Sequence, residues 1–167
     1  TPPSVLPLPV TAVQKLRDQN GEIISSSRIR SFLRDGEVEK ASGLMEHPFE
    51  IEGYVIHGAK RGRQIGFPTI NIEPKESILP RIGVYAATVK LDGRTFRAVA
   101  NIGTRPTVNG EGVLLEAHLL GFSGDLYGKR LRVRLITFIR PEVRFHSMEE
   151  LKEQIIRDTQ TVKRILK

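Results

Sequence analysis

Cysteine is absent from the 167-residue chain. That excludes disulfides, thiolate zinc sites and a cysteine nucleophile, and it fits the reducing cytoplasm, where the protein is expected to reside. Tryptophan is missing too, and aromatic residues make up only 6% of the chain. Single-stranded nucleic acid is bound on stacking platforms that such a composition supplies poorly. No apolar run nears the roughly 20 residues that a membrane-spanning helix needs, so no membrane partner is expected. Residues 1–10 are proline-rich and lack a basic stretch, so they do not read as a secretory signal. The first residue is Thr rather than Met, as expected of a chain cut from a longer one.

What remains is ordinary globular material, with 39% hydrophobic and 27% charged residues. The length favours one domain, with at most an appendage, and allows a proper core. A net charge of +7 favours anionic partners: nucleotides, nucleic acid or counter-ions.

The pattern along the chain changes period twice. Residues 1–20 are expected to hold little regular structure beyond one short strand. Residues 25–33 read as a helix capped by Ser25 or Ser26 and stopped by Gly36, and 37–45 as a second, ended by His47-Pro48. From Phe49 the period becomes two, giving strands at 49–56, 83–91, 95–102, 114–120 and 130–139; Asp92-Gly93 marks a hairpin. In the last strand Leu131, Val133 and Leu135 face inward and Arg130, Arg132 and Arg134 outward. Ile136 and Phe138 then join the outward row, as if covered by the terminal helix. After Pro141 the period is helical again. Ser147-Met148-Glu149-Glu150 forms a capping box, and Leu151, Ile155, Val162 and Leu166 share a face. Strands in succession with helices only at the ends predict a mainly β fold, a small closed antiparallel barrel with flanking helices.

Residues 57–72 carry the densest chemical signal. Three glycines and the cations Lys60, Arg61 and Arg63 lead into Phe67-Pro68-Thr69-Ile70-Asn71-Ile72. Glycine permits close backbone approach to a ligand, and the cations favour anions. Proline pushes Phe67 into extended geometry, which sets Thr69 and Asn71 on one side. A hydroxyl beside an amide suits a phosphate oxygen and a hard metal ion. Neither a Walker A loop nor a dinucleotide fingerprint is present, since no helix follows, and a plain basic hairpin accounts equally well for the residues.

Other candidates stand beside equally plain readings. Glu116 and His118 share one strand face: a solvent-facing pair, or a carboxylate near a barrel mouth able to take a proton from an attacking hydroxyl. The 101–107 stretch, Asn-Ile-Gly-Thr-Arg-Pro-Thr, reads as a ligand-contacting loop or a barrel corner. Arg140, Arg144 and Phe145 either embrace a flat heterocycle bearing a phosphate or form a helix lead-in. Ser25, Ser26, Ser27 and Arg28 offer a phosphate site or simple N-capping. The arginine stripe is a solvated face or a nucleic-acid contact.

Taken together, several segments resemble the ATP-dependent riboflavin kinases. They are the Gly66-Phe67-Pro68-Thr69-Ile70-Asn71-Ile72 run, Leu79-Pro80 with Gly83-Val84-Tyr85, and Asn101-Ile102-Gly103 with Arg105-Pro106-Thr107. Leu115-Glu116-Ala117-His118, Asp125-Leu126-Tyr127-Gly128, Ile139-Arg140-Pro141-Glu142 through Phe145, and Leu151 with Asp158 complete the series. Residues 23–30 are similar to the closing motif of the adenylyltransferase domain that precedes this kinase in bifunctional bacterial FAD synthetases. The paired histidines of that domain's nucleotide-binding motif are absent. The resemblance implies a kinase domain over 44–167, and over 1–43 the tail of a missing adenylyltransferase domain, a partner from the same parent protein, with linker helices.

It further implies a six-stranded antiparallel Greek-key barrel that passes the γ-phosphate of ATP to the 5′-hydroxyl of riboflavin, giving FMN and ADP. By matched position, Thr69 would coordinate Mg²⁺ and Asn71 would hold the phosphates and the metal shell. Gly58, Lys60, Gly62 and Arg63 would form the phosphate-side loop, with Pro68 shaping its bend. Glu116 would be the general base, and Arg140, Arg144 and Phe145 would close near the flavin. Two rivals of other classes are a non-catalytic flavin-binding or assembly module, and a basic barrel for single-stranded nucleic acid. The second leaves Thr69, Asn71 and Glu116 without a role, and nucleic acid is not an expected partner.

Overall fold

The computed structural model describes residues 11–75 and 78–167. The first half of the expectation for 1–20 therefore lies outside the described residues. From 11 onward the chain is irregular, with one bridge joining Arg17 to Ile23.

Helix α1 (Ser26–Arg34) begins where Ser25 Oγ accepts a hydrogen bond from the Arg28 backbone at 3.2 Å, the expected cap. Arg28 itself pairs with Asp18 at 2.7 Å and Glu22 at 2.9 Å, so the serine-arginine cluster is spent on its own fold. Gly36, at φ +80, turns the chain into α2 (Val38–Met45). The two helices belong to the barrel core: Leu33, Val38 and Ala41 are buried in one cluster with Ile51, Ile72, Tyr85 and Leu135.

Six strands follow: β1 (Glu50–Ile56), β2 (Ile70–Pro74), β3 (Gly83–Leu91), β4 (Arg94–Thr107), β5 (Gly110–Leu119) and β6 (Arg130–Arg140). All neighbours are antiparallel, in the closed order β1-β2-β5-β4-β3-β6. Strands β3 to β5 form a meander and β6 returns beside β3, the Greek-key connection. A one-turn helix, α3 (Arg61–Gln64), interrupts the glycine loop, and α4 (Met148–Ile165) closes the chain.

Small residues on alternate positions, Ala87, Ala98, Ala100 and Ala117, let the barrel close around Ile51, Ile72, Ile102 and Leu115. Outside the wall, Val162 of α4 seals against Val84, Ala86 and Val99. The α4 capping box forms as expected: Ser147 Oγ accepts from the Glu150 backbone at 3.1 Å, and the Glu150 carboxylate accepts from the His146 backbone at 2.9 Å.

Two expectations are corrected. Strand β4 does not stop near 102 but runs to Thr107, paired with β5 as far as Thr107–Gly110. The 101–107 stretch is thus a long hairpin arm turning at Val108 and Asn109. Phe138 also faces inward, not outward. The β3–β6 register slips between Val84 and Tyr85 and between Ala86 and Ala87, and each slip reverses the facing of the residues beyond it. Phe138 then meets Tyr85 edge-on, centroids 5.3 Å apart.

Candidate active site

Three polar side chains stand in a row on the barrel's outer wall. Glu116 of β5 is the direct partner of Asn71 on β2 and of Asn101 on β4. Paired residues of antiparallel strands project to the same face. The core faces of these strands are filled by Ile72, Ala117, Leu115, Ala100 and Ile102, so the row points away from the core. Asn71 is nonetheless buried, and the carboxamide oxygens of Asn71 and Asn101 are both enclosed without a hydrogen-bond donor.

The glycine loop supplies the cover. A β-carbon on Gly58 would fall onto the Asn71 carboxamide, so only glycine lets the loop lie this close. The loop then folds into α3, whose Gly62 carbonyl accepts from the Phe67 backbone at 2.7 Å. Lys60 enters that turn in the left-handed region, at φ 55. The sequence predicts no helix here, and the turn brings Arg61 within electrostatic reach of Glu116.

Two cavities meet here. The smaller, about 540 Å³, is lined by Gly58, Arg63, Pro68 and Asn71 together with His57 and Tyr127, whose rings stack 3.7 Å apart. The larger, about 890 Å³, is lined by Gly62, Glu116, Arg140, Arg144 and Phe145, with Leu151 and Ile155 of α4. Lys60 and Thr69 line both. The sequence-derived candidates are therefore brought together as two groups on either side of one hydroxyl and one ammonium.

Burial pushes the Glu116 carboxyl above its ordinary range; the nearby Arg61 guanidinium draws it back down, and Glu142 adds to the rise. The result is a carboxylate that holds a proton more readily than one in water, which is what a general base requires. His118, one turn of the pleat away, has its Nδ1 2.8 Å from the Pro68 carbonyl oxygen and its ring edge-on to Phe67. It braces the Phe67-Pro68 bend.

Arg140 is only partly available for a ligand. Its guanidinium forks onto the buried Asp158 of α4 and lies over the Phe145 ring, 6.0 Å from its centroid. Arg144 is exposed. The Arg130, Arg132 and Arg134 stripe is paired with acids on β1: Arg130 and Arg132 share Glu52, and Arg134 pairs with Glu50 at 3.0 Å.

The fit of a metal can be judged from the donors. The Asn71 oxygen is enclosed and lacks a donor, and the Thr69 hydroxyl is nearby on the same side; neutral oxygens of this kind suit Mg²⁺. Among the described residues there is no cluster of three or more His, Asp or Glu spaced to hold a metal.

Sequence reasoning passed over Asn101, Glu142 and Arg61 as individual site residues. Asn101 and Glu142 lie in stretches already singled out, but only the β4–β5 register brings Asn101 beside Glu116, and only the packing of the segment after β6 brings Glu142 within electrostatic reach of it. A carboxylate directly over Gly103, where a β-carbon would meet the Glu142 oxygen, could not be read from spacing.

Comparison with known proteins gives the family. The family model "Flavokinase: Riboflavin kinase" matches residues 45–166. A bifunctional riboflavin kinase/FMN adenylyltransferase of Escherichia coli (strain K12) is 47% identical over 146 residues, 87% of this chain and 47% of that protein. Its namesake from Bacillus subtilis (strain 168) is 42% identical over 154 residues, 90% of this chain and 48% of that one. Among solved structures, riboflavin kinase from Trypanosoma brucei superposes with a TM-score of 0.51 at 26% identity, covering 71% of this chain and 80% of that one. A Streptococcus pneumoniae chain described as a macrolide-efflux protein superposes at 0.82 with 34% identity, covering 90% of this chain and 50% of that one. The chain spans about half the length of the bifunctional relatives it matches. No described helix is long and apolar enough to cross a membrane.

Proposed function

This chain belongs to the riboflavin kinase family, and from that membership we propose that its barrel transfers the γ-phosphoryl group of ATP to the 5′-hydroxyl of riboflavin, yielding FMN and ADP. The observation that carries the reading is the junction at Thr69 and Lys60, which line both cavities. A nucleotide in the smaller cavity and a flavin in the larger would present phosphate and hydroxyl to each other at that point.

ATP lies with its phosphates against the loop of Gly58, Lys60, Gly62 and Arg63, bent over Pro68. Thr69 and Asn71 would hold Mg²⁺, which would offset the negative charge of the nucleotide phosphates. Phe145 and Arg144 bound the flavin side, and Arg140 holds the wall behind them. Glu116 accepts the proton of the 5′-hydroxyl as its oxygen forms a bond to the γ-phosphorus; the bond from that phosphorus to the bridging oxygen breaks, and ADP departs. Phosphoryl transfer asks little covalent chemistry of a protein, so positioning, charge neutralisation and one base are sufficient.

Residues 44–167 act as the kinase domain and 1–43 come from the junction with an adenylyltransferase domain in the parent protein, with the linker helices α1 and α2 packed into the barrel's core. Adenylyl transfer is not assigned to this chain. The test is chromatographic: riboflavin, ATP and Mg²⁺ should yield FMN with wild type, and Glu116→Ala should lose roughly 10²-fold or more. A folded wild type that binds flavin and makes no FMN overturns the kinase reading in favour of a binding module.

A further inference from the structure

Of the two enclosed carboxamide oxygens flanking Glu116, only that of Asn71 has been given a role. Asn101 lies on the other side. It lines the larger cavity and not the smaller, so it stands on the acceptor side of the carboxylate, away from the nucleotide loop. Among the described residues its side chain makes no hydrogen bond. On its far side the strand register offers only Val84, which is buried and apolar. A carbonyl oxygen kept in such a place is costly unless something donates to it. The terminal torsion of asparagine is broad, so with no bond restraining it the oxygen can turn to the cavity in place.

We propose that Asn101 is a specificity-determining residue that accepts a hydrogen bond from the 4′-hydroxyl of the substrate's ribityl chain. This rests on the kinase reading above. Glu116 and Asn101 are direct cross-strand partners, a spacing of roughly 4.5–5.5 Å between β-carbons. Oxygens of hydroxyls on adjacent carbons lie closer together than that, so two side chains rising from neighbouring β-carbons can converge on them: the terminal hydroxyl meets the carboxylate and its neighbour meets the carboxamide. Such a contact fixes which hydroxyl Glu116 addresses, and it selects a polyol over a simple alkyl alcohol.

The experiment compares riboflavin with its 4′-deoxy analogue, with the 2′-deoxy analogue as control, on wild type, Asn101→Ala and Asn101→Ser. Both kcat/KM and flavin affinity, read by fluorescence quenching, are recorded. Wild type should lose on the order of 10²-fold in kcat/KM on the 4′-deoxy analogue, because the Asn101 oxygen is left unpaired. Asn101→Ala should be slow on riboflavin yet nearly indifferent to the 4′-hydroxyl, and Asn101→Ser, which keeps an acceptor, should regain part of the discrimination. The ATP KM should not move. A wild type that treats the two flavins alike overturns the inference without any variant. So does an Asn101→Ala enzyme that keeps full discrimination, or one whose loss lies in the ATP KM. If wild type makes no FMN at all, the kinase reading fails, and the ratio of flavin affinities decides the 4′-hydroxyl contact by the same criterion.

Discussion

Arg140 grips Asp158 with two edges of its guanidinium, Nε donating to Oδ1 at 3.0 Å and Nη2 to Oδ2 at 2.7 Å. The pair ties the end of β6 to the middle of α4 and so fixes both ends of the 141–147 segment that lines the larger cavity. Gln154 donates to the same carboxylate at 2.9 Å, which leaves Asp158 well satisfied although almost wholly buried. Removing one partner of a buried pair strands the other. Asp158→Ala should therefore cost roughly 3–5 kcal/mol in urea denaturation, nearer the lower figure because Arg140 retains some access to water. It should also raise the flavin KM more than the ATP KM. A stability loss under about 1 kcal/mol would mean that the pair behaves as a surface ion pair.

Glu116→Gln keeps the shape of the row and removes the base. We expect kcat to fall by roughly 10²–10⁴-fold with flavin binding little changed. An unaltered rate would leave the carboxylate without a part in the chemistry, as base or as charge.

The pH profile is set by the neighbours of Glu116. Its carboxyl is raised above the ordinary 4.5, first by burial. Only the ionised form takes a proton, so kcat/KM should climb with pH through a value above 4.5. In the folded state the group binds its proton more tightly than in the unfolded chain, so its contribution to stability falls as pH rises from 4.5 through the raised value. Arg61→Gln should move the ascending limb to higher pH, and Glu142→Gln should move it lower. Shifts in the opposite sense, or none, would show that burial alone sets the carboxyl.

Much of the fold and site was legible because local chemistry announces itself. Leu131, Val133 and Leu135 alternate as the inner row they form, and Ser147 with Glu150 builds the cap their spacing promised. Thr69 and Asn71 were marked by residue type beside a glycine loop, whereas the strand pattern left Glu116 open and only the family resemblance gave it a role. The failures are matters of register and of one very short turn. Phe138 changes face because two bulges intervene; the break in alternation at Ile136 marks the first, but a covered outer face would give the same pattern. Turn α3 holds four residues, one of them glycine, too short for any period to show. Asn101 gains its meaning from a partner 15 positions along the chain, which only the β4–β5 ladder specifies.

Gly58 offers a sharper test of the loop than any of its cations. A β-carbon there would displace the Asn71 carboxamide, yet Gly58 lines only the smaller cavity. Gly58→Ala should raise the ATP KM at least about tenfold, a change of ~1.4 kcal/mol in binding, while flavin affinity stays near wild type. Equal losses for both substrates would mean that the loop organises the whole site and not the nucleotide side alone.

Helices α1 and α2 lie before the matched 45–166 segment, yet Leu33, Val38 and Ala41 are almost inaccessible and share the barrel's own core. The junction is secured by backbone as well, since the Arg81 amide donates to the Leu33 carbonyl at 2.8 Å, and by the Phe138 ring lying against Gly36. If these helices were a mere linker, truncating a side chain on them would leave the barrel untouched. If they plug it, Leu33→Ala opens a cavity in the common core and costs roughly 2–5 kcal/mol. Thermal unfolding distinguishes the two, and the shape of the transition is as informative as its midpoint. A single lowered transition means that helices and barrel unfold together, whereas an unchanged main transition with a small early step would make α1 and α2 an independent appendage.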